Sequence, residues 1–238
     1  GFYKKEGIEF KVLNPATGEY VAGGGKADER VARILKRPAA ERFKLLRETD
    51  HPQAQFLWAV FRDVFHYISL HLESIADNAR DVDFAIRWGF GWNEGPFETW
   101  QSAGWKQIAD WVSEDIAAGK AISSAPLPAW VGEVDGVHTP AGSYSPASKS
   151  YTPRSSLPVY ARQAFPAALV GENAADPKSA GVTVEENDSI RLWHQNDGIL
   201  IASFKTKMNT IGPDVLDGLQ KAVAIAEKDY SGLVIWQP

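Results

Sequence analysis

Residues 85–100 read AIRWGFGWNEGPFETW, with three tryptophans, three glycines and one proline in sixteen positions. No single helix or strand accommodates that mixture. A helix through Ala85, Ile86, Arg87 and Trp88 is expected to stop at Gly89, which takes a left-handed cap conformation without a Cβ clash. Gly91 keeps the turn flexible. Gly95 and Pro96 are the cap and first position of a new helix, where the N–H that proline lacks would have no partner. Glu98 then sits near the positive end of that helix. The stretch predicts a helix–turn–helix corner lined by Trp88, Phe90, Trp92, Phe97 and Trp100. Such rings can be a ligand platform, but at helical spacing a packed core is the better expectation.

Helices extend from this corner in both directions. Two short amphipathic patterns, ADERVARILK and PAAERFKLLRET, are separated by Pro38. A long helix is predicted from His51 and Pro52, with Leu57, Phe61, Val64, Ile68, Leu72 and Ile75 recurring at spacings of three and four. Phe56, Val60 and Phe65 broaden that stripe, which predicts a largely enclosed helix. After the corner, WKQIADWVSEDIAAG places Ile108, Trp111, Val112 and Ile116 on one side. Residues 26–132 thus read as an all-α unit with a tryptophan-rich core. Upstream, residues 8–29 hold two short strand-like pieces around Asn14-Pro15 and Gly18.

The composition shifts after the helices. Residues 133–186 are rich in Pro, Ser, Ala and Gly and read as a long linker over a surface, with a hairpin or two. Order resumes over 187–238. Ile190, Leu192 and His194 alternate with Arg191 and Trp193, a turn follows at Asn196-Asp197-Gly198, and ILIASF returns as the second arm of a hairpin. A helix capped near Gly212-Pro213 carries Val215, Leu219, Ala222, Val223 and Ala226 on one face, and GLVIW closes the segment as a strand. The order β-β-α-β, its helix linking two parallel strands, predicts the start of an α/β domain. The fold class is mainly α with a truncated α/β portion.

Composition narrows the function classes. A net charge of −5 argues against binding a nucleic-acid backbone. The absence of cysteine excludes disulfides, zinc–thiolate sites and cysteine nucleophiles. No run of ~18 apolar residues predicts a membrane span, GFYKKEGIEF is no signal peptide, and a cytoplasmic location is the default. The chain begins without Met and ends on the apolar string SGLVIWQP, so it reads as an internal fragment. The strand at 233–236 then predicts self-association through its edge.

Few residues suggest chemistry. His66 and His71 share a helix but lie five apart, which is not metal-ligand spacing, so no metal is expected. AGGGKADE (residues 22–29) lacks the phosphate-loop spacing, and Lys26 is followed by Ala27 rather than a hydroxyl. No G-x-G-x-x-G separates a strand from a helix. Glu73, Asp77, Asp81 and Asp83 can be an acid–base pair, but caps and a solvated face suit the spacing better. The loop FKTKMNT places Lys205 and Lys207 at a strand's end, where open α/β sheets bind ligands. They read equally as anion contacts or as solvated lysines.

A resemblance adds to this. DVDFAIRWGFGWNEGPFETWQSAGW resembles the helical C-terminal domain of 3-hydroxyacyl-CoA dehydrogenases, in which Gly-Pro-Phe-Glu follows an aromatic–glycine turn. GFYKK, within residues 1–25, looks like the tail of a preceding copy of that domain. GILIASFKTKMNTIGPDVLDGLQKAVAIAEKDYSGLVIW is similar to the opening of an enoyl-CoA hydratase (crotonase) domain. The order matches bifunctional bacterial β-oxidation enzymes, which oxidise 3-hydroxyacyl-CoA with NAD and hydrate trans-2-enoyl-CoA. The resemblance implies that NAD and the dehydrogenase's catalytic residues lie upstream and the hydratase's downstream. No catalytic residue or cofactor is then expected here. The loop of Lys205, Lys207, Met208 and Asn209 maps beside CoA, and the corner of Trp88, Gly89, Gly91, Gly95, Pro96 and Phe97 is structural. Implied partners are acyl-CoA and the remaining dehydrogenase and hydratase segments. A non-catalytic docking module or a stand-alone acyl-CoA binder is the alternative.

Overall fold

The computed structural model describes residues 1–23, 27–161, 163, 165–172 and 180–237. Its contacts divide the chain into two units, Gly1–Ser155 with Leu169–Glu172, and Ser156–Ala168 with Asn173–Pro238.

The first unit opens as an antiparallel meander of β1 (Tyr3–Glu6), β2 (Glu9–Leu13) and β3 (Tyr20–Ala22). Gly7 turns the first pair at φ +62°, and the Asn14 carboxamide accepts the Ala16 N–H to shape the second turn. The two strand-like pieces expected over residues 8–29 form as β2 and β3, and Phe2, Tyr3 and Ile8 are exposed. Gly24, Gly25 and Lys26, from the glycine-rich stretch weighed as a phosphate loop, lie outside the described residues.

Helices α1 (Glu29–Leu35) and α2 (Ala39–Glu48) follow, parted at Pro38 as its lack of an N–H dictates. The Asp28 carboxylate caps α1 by accepting the Arg30 N–H. Helix α3 (Pro52–Ile75) starts behind the His51 ring, whose Nδ1 accepts the Gln53 N–H. It buries Ala54, Trp58, Phe65, Ile68 and Leu72 against Phe43 and Leu46. The expected stripe is too wide. Phe56 and Val60 lie two residues either side of Trp58, about 200° around the helix, and both face solvent, as does Ile75.

Helix α4 (Ala79–Phe90) is capped by Asn78, whose side chain accepts the Arg80 N–H. It does not stop at Gly89. It continues to Phe90, and Gly91 supplies the left-handed cap at φ +70°. Helix α5 (Pro96–Ala117) begins at the expected proline and breaks internally at Gly104 (φ +102°). Ile108 and Val112 are fully buried, with Trp111 and Ile116 half-buried beside them. A short α6 (Trp130–Glu133) ends the helical run.

The next residues are no surface linker. Strands β4 (His138–Thr139), β5 (Gly142–Ser145) and β6 (Ser150–Thr152) form an antiparallel ribbon that folds back on the helices. Val134, Val137, His138, Ser143 and Tyr144 are buried there, because Tyr144 stacks on Trp130 (5.3 Å) and joins the helical core. Gly142 (φ +140°) makes this return possible, since a Cβ on it would strike the Thr152 carbonyl oxygen at 2.1 Å.

The second unit holds α7 (Pro158–Ala161) and a four-stranded sheet. Its strands are β7 (Val182–Glu186), β8 (Ile190–His194), β9 (Ile199–Phe204) and, after α8 (Pro213–Asp229), β10 (Gly232–Ile235), in the order β10-β9-β8-β7. The hairpin and the parallel β9–β10 pair form as the sequence predicts, with Leu233 opposite Leu200. β7 is additional, paired antiparallel to β8 within residues read as linker. Ile190, Leu192, Leu200 and Ala202 pack under Ala222 and Ala226 of α8. Gly218 lets α8 approach, because a Cβ there would meet Ile190 at 2.4 Å. Val223, expected on the same face, is 47% exposed. Phe165, Trp193 and Trp236 form an aromatic group of their own. Among the described residues no helix is long and apolar enough to cross a membrane.

Candidate functional site

The glycine–proline corner is built around a carboxylate. The cap residue of α5 is Gly95, which has no side chain to offer the helix's free N–H groups. Asp83, on the facing side of α4, does this instead. Its Oδ1 accepts the Phe97 N–H (2.8 Å) and its Oδ2 the Glu98 N–H (3.0 Å). Only glycine fits at 95, because a Cβ would lie 2.4 Å from the Asp83 side chain. Glu98 completes the cap, its Oε2 accepting the Gly95 N–H at 2.8 Å. Oε1 of Glu98 takes the Val170 N–H (3.1 Å), and Arg87 approaches the same carboxylate at 3.4 Å.

Oδ2 of Asp83 also meets Nε2 of His138 at 2.7 Å, and Nδ1 of His138 meets Oγ of Ser143 at 2.8 Å. Gln101 fixes the backbone around the imidazole. Its Oε1 accepts the Val137 and His138 N–H groups, and its Nε2 donates to the His138 carbonyl. Burial pushes the Asp83 carboxyl above the ordinary range, against the hydrogen bonds from His138 and the two amides. Burial likewise raises Glu98, and the neighbouring Asp83 adds to it. Serine, imidazole and carboxylate are the groups of nucleophilic catalysis. Here Ser143 and Asp83 are fully buried and His138 is 1% exposed, so no substrate reaches them. The set ties α4, α5 and the β4–β5 ribbon together.

The sequence groups Asp83 with Glu73, Asp77 and Asp81 as caps and a solvated face. Glu73, Asp77 and Asp81 are exposed, whereas Asp83 is a buried cap for another helix. His138 and Ser143 were passed over inside the supposed linker. The available signal was an aspartate on the buried face of α4 upstream of a helix start whose cap position is glycine.

The corner's rings separate into two groups. Phe97 and Trp100 are fully buried, and Trp100 stacks on Trp105 at 4.2 Å. Trp88 is 71%, Phe90 74% and Trp92 44% exposed, the first two in the last turn of α4 and the third just beyond its Gly91 cap. These three rings do not fill the corner as their spacing predicts. Behind Trp88, Phe84 stacks nearly parallel at 4.5 Å.

The lysine loop has a different character. Lys205 pairs with Glu186 at 2.8 Å and donates to the Asn187 carbonyl, so its charge is already answered. Its ammonium holds the Glu186 carboxyl below the usual carboxylate range. Lys207, Met208 and Asn209 form a 3₁₀ turn in which Met208 (φ +57°) and Asn209 (φ +54°) are left-handed, and Met208 is 89% exposed. A shallow groove of about 300 Å³ lies elsewhere in this unit, lined by Val223, Ala226, Tyr230 and Leu233. His66 is buried in the first unit, its Nε2–H donating to the Ala125 carbonyl at 2.8 Å. Among the described residues no three His, Asp or Glu side chains are placed to share a metal ion.

The chain is similar to a 3-hydroxyacyl-CoA dehydrogenase. That relative, named "Probable 3-hydroxyacyl-CoA dehydrogenase", is from Bacillus subtilis (strain 168) and is 28% identical over 99% of this chain, which covers 28% of the relative. A second, the "Putative fatty acid oxidation complex trifunctional enzyme" of Rickettsia felis, is 25% identical over 79% of this chain and 22% of its own length. The chain spans about a quarter of the length of the relatives it matches. No family model and no solved structure matches it.

Proposed function

We propose that this chain is a segment of a larger bifunctional β-oxidation enzyme, one that oxidises 3-hydroxyacyl-CoA with NAD and hydrates trans-2-enoyl-CoA. In it, residues 27–155 serve as a helical support. The observation that carries this reading is the similarity to a dehydrogenase along 99% of the chain. The closed Asp83–His138–Ser143 set supports the non-catalytic role, because its groups are spent on tying elements together. The β8–β9–α8–β10 run of the second unit, with β9 and β10 parallel, supports the crotonase-like start, to which β7 is an added edge strand.

Among the described residues, the turn that enters α8 does not fit NAD. The one strand-to-helix turn of the parallel β9–α8–β10 unit, residues 205–212, carries a single glycine, Gly212, where a pyrophosphate fingerprint needs three. On this reading the cofactor and both catalytic centres belong to other parts of the polypeptide, which works in the cytoplasm. The acyl-CoA substrate passes beside the loop of Lys207, Met208 and Asn209. Lys205, held by Glu186, contributes less there.

Assays of the longer polypeptide and of this chain test the reading. The longer protein is expected to reduce NAD with 3-hydroxyacyl-CoA and to hydrate enoyl-CoA, and this chain to do neither. A longer protein inactive in both assays overturns it. Acetoacetyl-CoA titrated against the tryptophan fluorescence of this chain, with CoA alone as control, separates the alternative. Saturable quenching specific to the acyl form favours an acyl-CoA-binding module.

A further inference from the structure

The tip between α4 and α5 is poor in charge and rich in exposed rings. Between residues 85 and 94 its only charged side chains are Arg87 and Glu94. Three large rings, Trp88, Phe90 and Trp92, stand out from it around the left-handed Gly91. Their exposure is not a matter of loose chain. Trp88 lies in the last turn of α4 and stacks on Phe84 at an interplanar angle of 5°. Phe84 is in turn overlaid by the guanidinium groups of Arg87 (5.6 Å) and Arg154 (5.8 Å). One face of the Trp88 indole is thus fixed in place, and fixing a ring beforehand removes much of the entropy cost of docking it. Exposed, pre-oriented tryptophan beside further aromatics is the composition of a contact hot spot.

The size of the patch decides between occupants. Large aromatic side chains bury ~150–250 Å² each, so the exposed parts of these three rings come to roughly 400 Å². A stable interface between separate molecules takes ~800 Å² from each side. Two copies of this chain meeting ring to ring therefore fall well short. A site on the same polypeptide faces no such requirement, because tethering raises the effective concentration to the order of mM and a weak contact becomes occupied. The curated relatives offer such a polypeptide, being several times as long as the aligned segment.

We propose that the Trp88–Phe90–Trp92 tip is an intramolecular docking surface, seated in an uncharged apolar recess of another part of the same long polypeptide. This rests on the reading of the chain as a segment of a larger enzyme. The tip's near-neutral charge selects an apolar recess over a charged ligand or a nucleic-acid backbone. It is an anchor that fixes the helical unit in the whole protein.

Hydroxyl-radical footprinting read residue by residue tests this, applied to this chain and to the longer natural polypeptide. Trp100, fully buried here, is the internal control. The expected result is strong labelling of Trp88, Phe90 and Trp92 in this chain, several-fold weaker in the longer protein, with Trp100 weak in both. Equal labelling of the tip in both proteins overturns the docking and leaves the enzyme reading intact. Protection that appears in this chain alone as its concentration rises overturns it in favour of a second copy. An intact natural protein whose mass equals that of this chain overturns the enzyme reading itself, and the occupant with it.

Discussion

Asp83 accepts from two amides of α5 and from an imidazole 55 residues further along the chain, so one side chain joins contacts that neither segment makes alone. Asp83→Ala uncaps α5 and leaves the buried Nε2 of His138 without a partner, and is expected to cost about 3 kcal/mol in chemical denaturation. Gly95→Ala approaches the same place from the other side. Its Cβ would overlap Asp83 at 2.4 Å, with an expected loss of ~2 kcal/mol or more. Loss of less than ~0.5 kcal/mol in either variant would mean the corner is not held this way. Glu172 gives the pH dependence. Burial pushes its carboxyl up, but Arg154, the Leu169 N–H and Arg80 outweigh that and hold it below the ordinary range. A carboxylate lowered on folding adds stability above its unfolded pKa of ~4.3, and loses it as pH falls through the lower folded value. Glu172→Gln is therefore expected to destabilise at pH 7, with the deficit shrinking towards zero as the pH falls below that range. Denaturation midpoints of both proteins across pH measure it. A deficit constant with pH would show that Glu172 acts through packing alone.

Helix α5 owes its shape to Gly104, whose φ of +102° lies where side chains strain the backbone. The break puts the Trp105 carbonyl where the Trp100 indole N–H donates to it at 2.9 Å, and the two rings stack. Gly104→Ala meets little steric obstacle, its nearest neighbour being the Gln107 Cβ at 3.9 Å, so its cost is conformational, about 1–3 kcal/mol. A weakened near-UV circular dichroism signal from the stacked indoles is expected with that loss. An unchanged signal and midpoint would show that α5 tolerates a regular helix there. Elements of this kind were partly legible in sequence. Pro38, Pro52 and Pro96 mark helix starts through the hydrogen bond proline cannot make, and the spacing around Ile108 and Val112 records the buried face. Apolar periodicity does not say how much of a helix is covered, which is why Phe56, Val60 and the three tip rings read as core. The Asp83–His138–Ser143 set was not legible, because its spacing comes from tertiary packing and two of its members sit in a Ser- and Gly-rich stretch that resembles a linker.

At the scale of the whole molecule, the two edges of the second unit's sheet differ in how they meet water. β7 ends in Glu185 and Glu186, which pair with Lys221 and Lys205, and charges along an edge discourage further strand pairing. β10 is the sequence GLVI, with Val234 46% and Ile235 55% exposed and no charged residue of its own. A β edge of that kind pairs with whatever extended backbone is available. In a solution of this chain the available backbone is the β10 of a second copy. The expected outcome is a concentration-dependent dimer in sedimentation equilibrium, abolished by Val234→Lys, which places a charge on the edge without entering the packed face under α8. The tip rings of the first unit do not account for such a dimer, so Trp88→Ser is expected to leave it unchanged. A monomer at every concentration would show that β10 is protected, and a dimer that survives Val234→Lys would move the contact away from this edge.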